Sequence, residues 1–421
     1  MRYRVLLWLA WPYVWVHLLW RGWRQRDYWQ HVGERWGYDG QPITQPLIWL
    51  HAVSVGETRA SVPVVKALHE RYPQYQILLT HGTPTGRATG LALFGSEVLQ
   101  SYLPYDYPAA VRRFILHYRP VIGLIMETEI WPNLLRMCRQ QGVPVLLINA
   151  RLSARSAKRY RWLGQEMAQA LSVFCAIAAQ SDADAQRLTA LGGQRVSVMG
   201  NVKFDIDPPV AQIELGLQWR ASAGAARQIW LAASTREGEE ALVLEAWRAM
   251  QPHPALLVIV PRHPQRFEQV AQLIQAQGWR YQRRSSGQAV SADSQVWLGD
   301  SMGELFAYYR MSDVAVIGGS LLPFGGQNLI EAAAVGCPVI VGPHSWNFSE
   351  ISQTAIACGA AVQVVAEPWA LTTSVVTLLG DAGQRLRMQT AGVAFGQRYR
   401  GATQRVMPMI ASCMGHVERT R

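Results

Sequence analysis

Residues 46–59 read PLIWLHAVSVGETR. The first six, PLIWLH, form an apolar run whose length suits a strand buried on both faces. After it the pattern changes: Ala52, Val53 and Ser54 make a short loop, and Gly56 permits a tight turn. A helix is expected to begin at Glu57 or Thr58 and run to Arg71. A strand that turns into a helix is the repeating piece of a doubly wound α/β sheet, and the piece recurs along the chain. Strands are expected at 76–80 (QILLT), 121–126 (VIGLIM) and 143–149 (VPVLLIN), with a further helix at 107–118. In the second half the expected strands are 228–233 (QIWLAA), 255–261 (ALLVIVP), 314–317 (VAVI) and 338–342 (PVIVG). Helices are expected between and after them, at 238–249, 266–277, 328–335 and 347–358. The stretch DIDPPVAQ, with Pro208 and Pro209 side by side, breaks the alternation and marks a seam. The pattern predicts two Rossmann-like domains facing a cleft at the carboxyl ends of their strands, where open α/β sheets bind ligands. The expected segments are 1–36, 37–207 and 208–421, the last helix of the third packing back on the second.

Composition narrows the class. Of 421 residues 49% are hydrophobic, as in a packed protein, and 16% are charged, which excludes a disordered chain or a coiled coil. Forty basic residues against 29 acidic leave a formal charge of +11, and only Lys66, Lys158 and Lys203 of the basic set are lysines. Such a surplus attracts polyanions: nucleic acid, anionic lipid or phosphorylated substrates. The arginines are dispersed, with no dense basic run and no nucleic-acid motif, so no nucleic-acid partner is expected. Five widely spaced cysteines form no C-x-x-C pair, and their expected state is five small buried hydrophobes without a disulfide.

The N-terminus stands apart. Residues 5–20 read VLLWLAWPYVWVHLLW, flanked by Arg2 and Arg4 before and Arg21, Arg24 and Arg26 after. Sixteen residues are fewer than the roughly 20 a spanning helix needs. Trp8, Trp11, Trp15 and Trp23 fall on one side of a helix, and Trp and Arg suit the headgroup level. An apolar helix that anchors to or lies on a membrane is expected, the alternative being a helix packed on the body of the protein.

Four constellations carry chemistry, most of them after an apolar strand and one, GNVKFD, at the end of the first domain. Glu57, with Arg59 beyond it, sits at a helix start; it is either a carboxylate serving the helix dipole or a general base. Glu127 and Glu129 in METEIWPN follow the strand at 121–126. Crowded acids raise one another's pKa, so one could hold a proton or orient a cation. Lys203 in GNVKFD is a compact ammonium able to sit beside a phosphate or a carboxylate. In the second half Ser234-Thr235, Pro261-Arg262, Met302-Gly303-Glu304, Gly319 and the run Asn328-Leu329-Ile330-Glu331 lie on turns that can hold an anion at a helix start. No P-loop, no G-x-G-x-x-G after the first strand and no H-E-x-x-H occurs, so neither a metal nor a resident cofactor is expected.

Read in order, HAVSVGE, LPYD, METEIWPN, NARLSARS, GNVKFD, PRHPQRF, DSMGEL, GGSL, GGQN and GPHSWNF resemble the 3-deoxy-D-manno-octulosonic acid (Kdo) transferases, over about residues 1–400. The resemblance implies a GT-B glycosyltransferase that moves Kdo from CMP-Kdo to a lipid A precursor, lipid IVA, at the cytoplasmic face of the inner membrane. It implies that Glu57 is the general base and that Glu127 and Lys203 stabilise the transition state. It places CMP contacts on Pro261, Arg262, Met302, Gly303, Glu304, Asn328, Leu329, Ile330 and Glu331; from the turns themselves Ser234, Thr235 and Gly319 are candidate anion contacts, and Arg59 is a candidate contact for the acceptor's phosphates. The chain departs from the family pattern at Thr80–Gly86 (THGTPTG), at Gln327, where many relatives have His, and at NLIE in place of NPLE. The rival readings are a GT-B transferase using another nucleotide sugar and a non-catalytic basic membrane-surface protein.

Overall fold

A computed structural model describes residues 2–38, 40 and 42–418. The chain divides into two compact units, Met1–Asp205 with Arg400–Arg421, and Ile206–Tyr399. Each is built on a seven-stranded parallel sheet.

In the first unit the strands are β1 (Leu47–His51), β2 (Gln76–His81), β3 (Val98–Tyr102), β4 (Ile122–Met126), β5 (Val145–Ala150), β6 (Phe174–Ala179) and β7 (Val196–Val198). Their spatial order is β3-β2-β1-β4-β5-β6-β7. The direction of winding reverses between β1 and β4, which pair in parallel with His51 opposite Ile125. That switch point leaves a crevice at the carboxyl ends of β1 and β4, where an open sheet receives ligands. Successive residues serve opposite faces. Leu47 and Trp49 join one buried cluster, with Phe114 and Leu135, while Ile48 and Leu50 join another, with Val64 and Ile410. The expected helix at 58–71 is two helices, Val55–Ala60 and Val62–Arg71. Pro63 lacks an N–H and suits the first turn of a new helix better than the interior of a long one.

The second unit holds β8 (Ile229–Thr235), β9 (Leu256–Pro261), β10 (Tyr281–Arg283), β11 (Val296–Leu298), β12 (Val314–Ile317), β13 (Val339–Val341) and β14 (Ala361–Gln363). Their order is β10-β11-β9-β8-β12-β13-β14, with the switch point between β8 and β12. Trp230 and Trp247, fully buried, fill its core.

Two terminal segments pack on the first unit. The helix Ala402–Glu418 is tied by the Asp205 carboxylate, which accepts the N–H groups of Gly401 and Thr403, both at 2.6 Å. A disulfide joins Cys175 of β6 to Cys413 of this helix, with Cα atoms 6.2 Å apart. The expectation of five free cysteines is thereby corrected: spacing of 238 residues hid a pair that the fold brings together.

The helix Arg2–Arg24 lies with one face docked. Tyr3 donates its hydroxyl to Asp106 at 2.8 Å, Tyr107 donates to the Leu7 carbonyl at 2.9 Å, and Trp15 stacks on Trp36 at 5.0 Å between ring centroids. Trp8, Leu9, Trp11, Tyr13, Val16, Leu19, Trp20 and Trp23 are exposed. Of the four tryptophans expected on one side, Trp15 turns inward and the other three face out. Among the described residues no helix is long and apolar enough to cross a membrane.

Candidate active site

At the first switch point the loop after β1 runs into the helix Val55–Ala60, whose N-cap is Ser54. Ser54 Oγ accepts the Glu57 N–H at 3.4 Å and donates to Glu57 Oε1 at 3.0 Å. The Val53 N–H donates to Glu57 Oε2 at 2.8 Å. This is a capping box closed one residue upstream of its usual place. The two readings of Glu57 therefore coexist: the carboxylate serves the helix start, yet it remains titratable. Burial, then the Glu127 charge, push its pKa from 4.5 up to about 7, against the Val53 hydrogen bond; Glu129 adds to the rise and Ser54 opposes it. An acid poised near neutrality is suited to proton transfer. Arg59 is exposed on the same short helix.

β4 ends at Met126, and Glu127 takes a left-handed conformation (φ 57°). The strand stops there, so alternation does not extend to Glu129. Glu127 Oε1 lies 3.3 Å from Lys203 Nζ, both side chains about one-fifth exposed. Glu129 instead accepts the indole N–H of Trp131 at 2.9 Å, and burial raises its pKa. Glu57, Glu127, Glu129 and Lys203 thus gather at the carboxyl ends of β1 and β4, although Lys203 comes from a segment 76 residues away from Glu127.

Three polar residues that sequence reading did not single out frame this group. Asn149 is fully buried at the end of β5 and left-handed (φ 51°). Its Oδ1 accepts the Val202 N–H at 3.2 Å, and its main-chain oxygen accepts Gln180 Nε2 at 2.9 Å. Asn201 donates to Gln180 Oε1 at 3.0 Å and accepts the Lys203 N–H at 3.0 Å. Asp106, in LPYD, accepts the N–H groups of Asn133 and Leu134 at 3.0 and 2.7 Å and so caps the helix that follows METEIW. Burial lifts its pKa to about 6. The motif strings contained Asn149, Asn201 and Asp106; what was missing was the signal that Asn149 and Asn201 meet through Gln180 and that Asp106 meets the helix after METEIW.

The second unit places its residues at the carboxyl ends of β8, β9, β11 and β12. Arg262 follows β9 immediately; its N–H donates to the Thr235 carbonyl at 3.0 Å and its Nε to Gln327 Oε1 at 3.3 Å. Arg236, Arg262 and Arg266 crowd His263, and with burial, the larger cause, they lower its pKa. Met302 and Gly303 lie on an open turn, Gly303 at φ 80°. Glu304 binds Arg284 at 3.0 Å and accepts the Ser301 hydroxyl at 2.5 Å. Asn328 closes a turn just ahead of the short helix Ile330–Ala334, its side chain accepting the Ile330 N–H at 3.0 Å, with Glu331 Oε1 3.5 Å from its amide. Leu329 and Ile330 are buried, side chain and backbone alike, and the Ile330 N–H is already donated to Asn328, so the structure does not present these two expected contacts to a ligand.

Two expected anion contacts are taken within the protein. The Gly319 N–H donates to the Glu239 carboxylate at 2.6 Å, and that fully buried carboxylate also accepts from Arg236, Leu321 and Leu322. Thr235 donates its hydroxyl to Glu240 at 2.7 Å, which in turn pairs with Arg266. Ser234 is left-handed (φ 57°) beside them, and Gly318 is required there, because a Cβ would meet the Ser234 carbonyl at 2.3 Å. Among the described residues no group of three or more His, Cys, Asp or Glu is placed to hold a metal ion.

A structure of a glycosyltransferase from Rickettsia africae superposes with a TM-score of 0.59 at 14% identity, covering 88% of this chain and 99% of that one. A UDP-GlcNAc 2-epimerase from Neisseria meningitidis superposes equally well, with a TM-score of 0.60 at 15% identity, so the likeness is one of fold: two parallel-sheet α/β domains of GT-B-like kind. The model of the 3-deoxy-D-manno-octulosonic-acid transferase (kdotransferase) family matches residues 30–206. The 3-deoxy-D-manno-octulosonic acid transferase of Bordetella pertussis is 43% identical over 96% of this chain and 97% of its own. That of Haemophilus influenzae is 38% identical over 91% of each. The chain belongs to the 3-deoxy-D-manno-octulosonic acid transferase family and is a glycosyltransferase enzyme.

Proposed function

We propose that the enzyme transfers Kdo from CMP-Kdo to lipid IVA, the lipid A precursor, at the cytoplasmic face of the inner membrane, with Glu57 as general base and without a metal or cofactor. The observation that carries the assignment of the base is the Glu57 carboxylate, raised to about 7 by burial and by Glu127 beside it. Ionised, it takes the proton from an acceptor sugar hydroxyl. The hydroxyl oxygen attacks the anomeric carbon, the bond to the CMP phosphate breaks, and its electron pair leaves with CMP, inverting the centre. Glu127 stabilises the positive charge that develops as the sugar becomes oxocarbenium-like, and Lys203, held at Glu127, offsets the negative charge of the sugar's carboxylate. Arg236, Arg262 and Arg266 supply the positive field for the CMP phosphate, and Glu331 and the Met302–Glu304 turn serve the rest of the nucleotide. The exposed aromatic face of the helix Arg2–Arg24, with Arg21, Arg24 and Arg26 at its end, supports docking on anionic lipid.

The test is mass spectrometry of the product formed from CMP-Kdo and a tetraacyl disaccharide bisphosphate. Wild-type enzyme adds whole Kdo increments; Glu57→Gln reduces the rate by about 10²–10⁴ with CMP affinity retained. Undiminished transfer by a folded Glu57→Gln refutes the base. Competition by UDP rather than CMP refutes the donor.

A further inference from the structure

We propose that Asn149, Gln180 and Asn201 form an amide relay that sets the distance between Lys203 and Glu127, and that all three are positioning residues for the transfer. The inference rests on the catalytic reading of Lys203 given above.

Both partners of the ion pair hang from two consecutive residues of β5. The Glu127 N–H donates to the Ile148 carbonyl at 3.0 Å, which fixes the turn after β4. Asn149, the next residue, takes the turn Val202–Phe204 through its side chain, Oδ1 accepting the Val202 N–H at 3.2 Å. The left-handed backbone that aims Asn149 this way is one an asparagine tolerates better than most residues. The same turn is gripped a second time. Gln180, just past β6, donates to the Asn149 carbonyl at 2.9 Å and accepts from Asn201 at 3.0 Å; Asn201 then accepts the Lys203 N–H at 3.0 Å. Three amides from three separate segments, the end of β5, the turn after β6 and the loop before Val202, thereby close a ring at residues 201–203. The 3.3 Å separation of Lys203 Nζ and Glu127 Oε1 is measured across that ring. A lysine side chain is long and mobile, so fixing its backbone limits where the ammonium can travel. Asn149 Nδ2 is buried with no hydrogen-bond partner among the described residues, so burial of this side chain is costly and is offset only by what Oδ1 holds.

The experiment is a double-mutant cycle on the full-length enzyme, with CMP-Kdo varied at saturating acceptor. Gln180→Leu removes both relay bonds at similar volume. Alone it lowers kcat about tenfold and changes the KM for CMP-Kdo less than twofold. In a Lys203→Ala background it lowers kcat no further, because the ammonium it positions is already gone. Equal loss in both backgrounds, the behaviour of a merely structural residue, overturns the relay alone. Undiminished kcat in Lys203→Ala overturns the role of Lys203 and the relay with it. Should Gln180→Leu fail to fold, Asn201→Ala runs the same cycle. Asn201→Asp keeps the acceptor for the Lys203 N–H but loses the amide donor to Gln180 Oε1, so it stays about as impaired as Asn201→Ala; recovery of kcat would show that the Gln180 bond is dispensable and overturn the relay.

Discussion

Replacing Glu127 by glutamine removes a charge beside Glu57 without removing bulk, and it should move the pH profile to the acid side. Burial is the largest cause of the rise of Glu57 from 4.5 to about 7, and the Glu127 carboxylate is the second. A charge within about 4–6 Å shifts a carboxylate by about one to three in pKa when it is opposite in sign, and a like charge acts in the other direction. Since burial takes the larger part of a rise that ends near 7, the Glu127 contribution lies at the low end, about one unit. Freeing Lys203 from its ion pair acts in the same direction, because its charge then favours the ionised form of Glu57. The acid limb of kcat/KM in Glu127→Gln is therefore expected near pH 6 instead of near pH 7. With Glu57 required as carboxylate, the ratio of kcat/KM at pH 6 to that at pH 8 rises about fivefold. The readout is the ratio, so a lower absolute rate in the variant does not blur it. Ser54→Ala makes the opposite move: it removes a hydrogen bond that holds the carboxylate down, so its limb shifts to higher pH, while loss of the N-cap costs about 1 kcal/mol of stability. The assay is initial-rate transfer from pH 5.5 to 8.5. A limb that stays in place in Glu127→Gln, or two variants that shift in the same direction, would show that Glu57 is not the titrating base.

Stability should depend on the same group. Because the folded pKa of Glu57 lies above its unfolded value, its contribution is fully present below about 4.5 and is lost as pH rises through about 7. Glu57→Gln should thus raise Tm relative to wild type at pH 8 and do so much less at pH 5; equal changes at both pH values contradict the raised pKa. Thiol titration in denaturant without reductant should find three reactive groups per chain, Cys138, Cys337 and Cys358, rising to five after reduction. Trp23→Ala should lower partitioning to anionic vesicles with little change in Tm, whereas Trp15→Ala, which breaks the stack on Trp36, should lower Tm; the reverse pattern would mean that the helix docks by its other face.

The strands adjoining both switch points were legible because they are central. β1, β4, β8, β9 and β12 are buried on both faces, so each reads as an unbroken apolar run. The outer strands did not read as strands. β3 carries Gln100 and Ser101, β7 is a three-residue edge with Ser197 and Val198 exposed, and β10 is Tyr-Gln-Arg. An edge strand is recognised by its neighbour's hydrogen bonds, which no local pattern records. The same holds for β6, FCAIAA, whose alanines suit a helix equally well. Glu57 and Glu127 could be placed at carboxyl ends from their position after apolar runs. That Lys203 meets Glu127, or that Cys175 meets Cys413, depends on the order of strands in space.

Comparing the two switch points shows why a buried acid next to a glycine turn is not enough to assign chemistry. Glu239 and Glu57 both stand at helix starts after a central strand, and burial raises both. Glu239 is fully buried, and four main-chain N–H groups from two loops converge on its oxygens. Nothing from outside can reach it without breaking those bonds, so its work is to hold the turn at Gly318–Gly319 in shape. A glycine turn advertises free amides; here a carboxylate from the neighbouring helix already uses them. Glu57 has one main-chain donor, Val53, and one hydroxyl, Ser54, and it keeps part of its surface open. Its raised pKa is due in part to a second acid, Glu127, whose own partner is a lysine. Removing amide donors from a carboxylate, leaving it accessible and placing a like charge beside it turns a structural acid into one that can exchange a proton at neutral pH. The first switch point meets all three conditions, and the second meets none of them at Glu239.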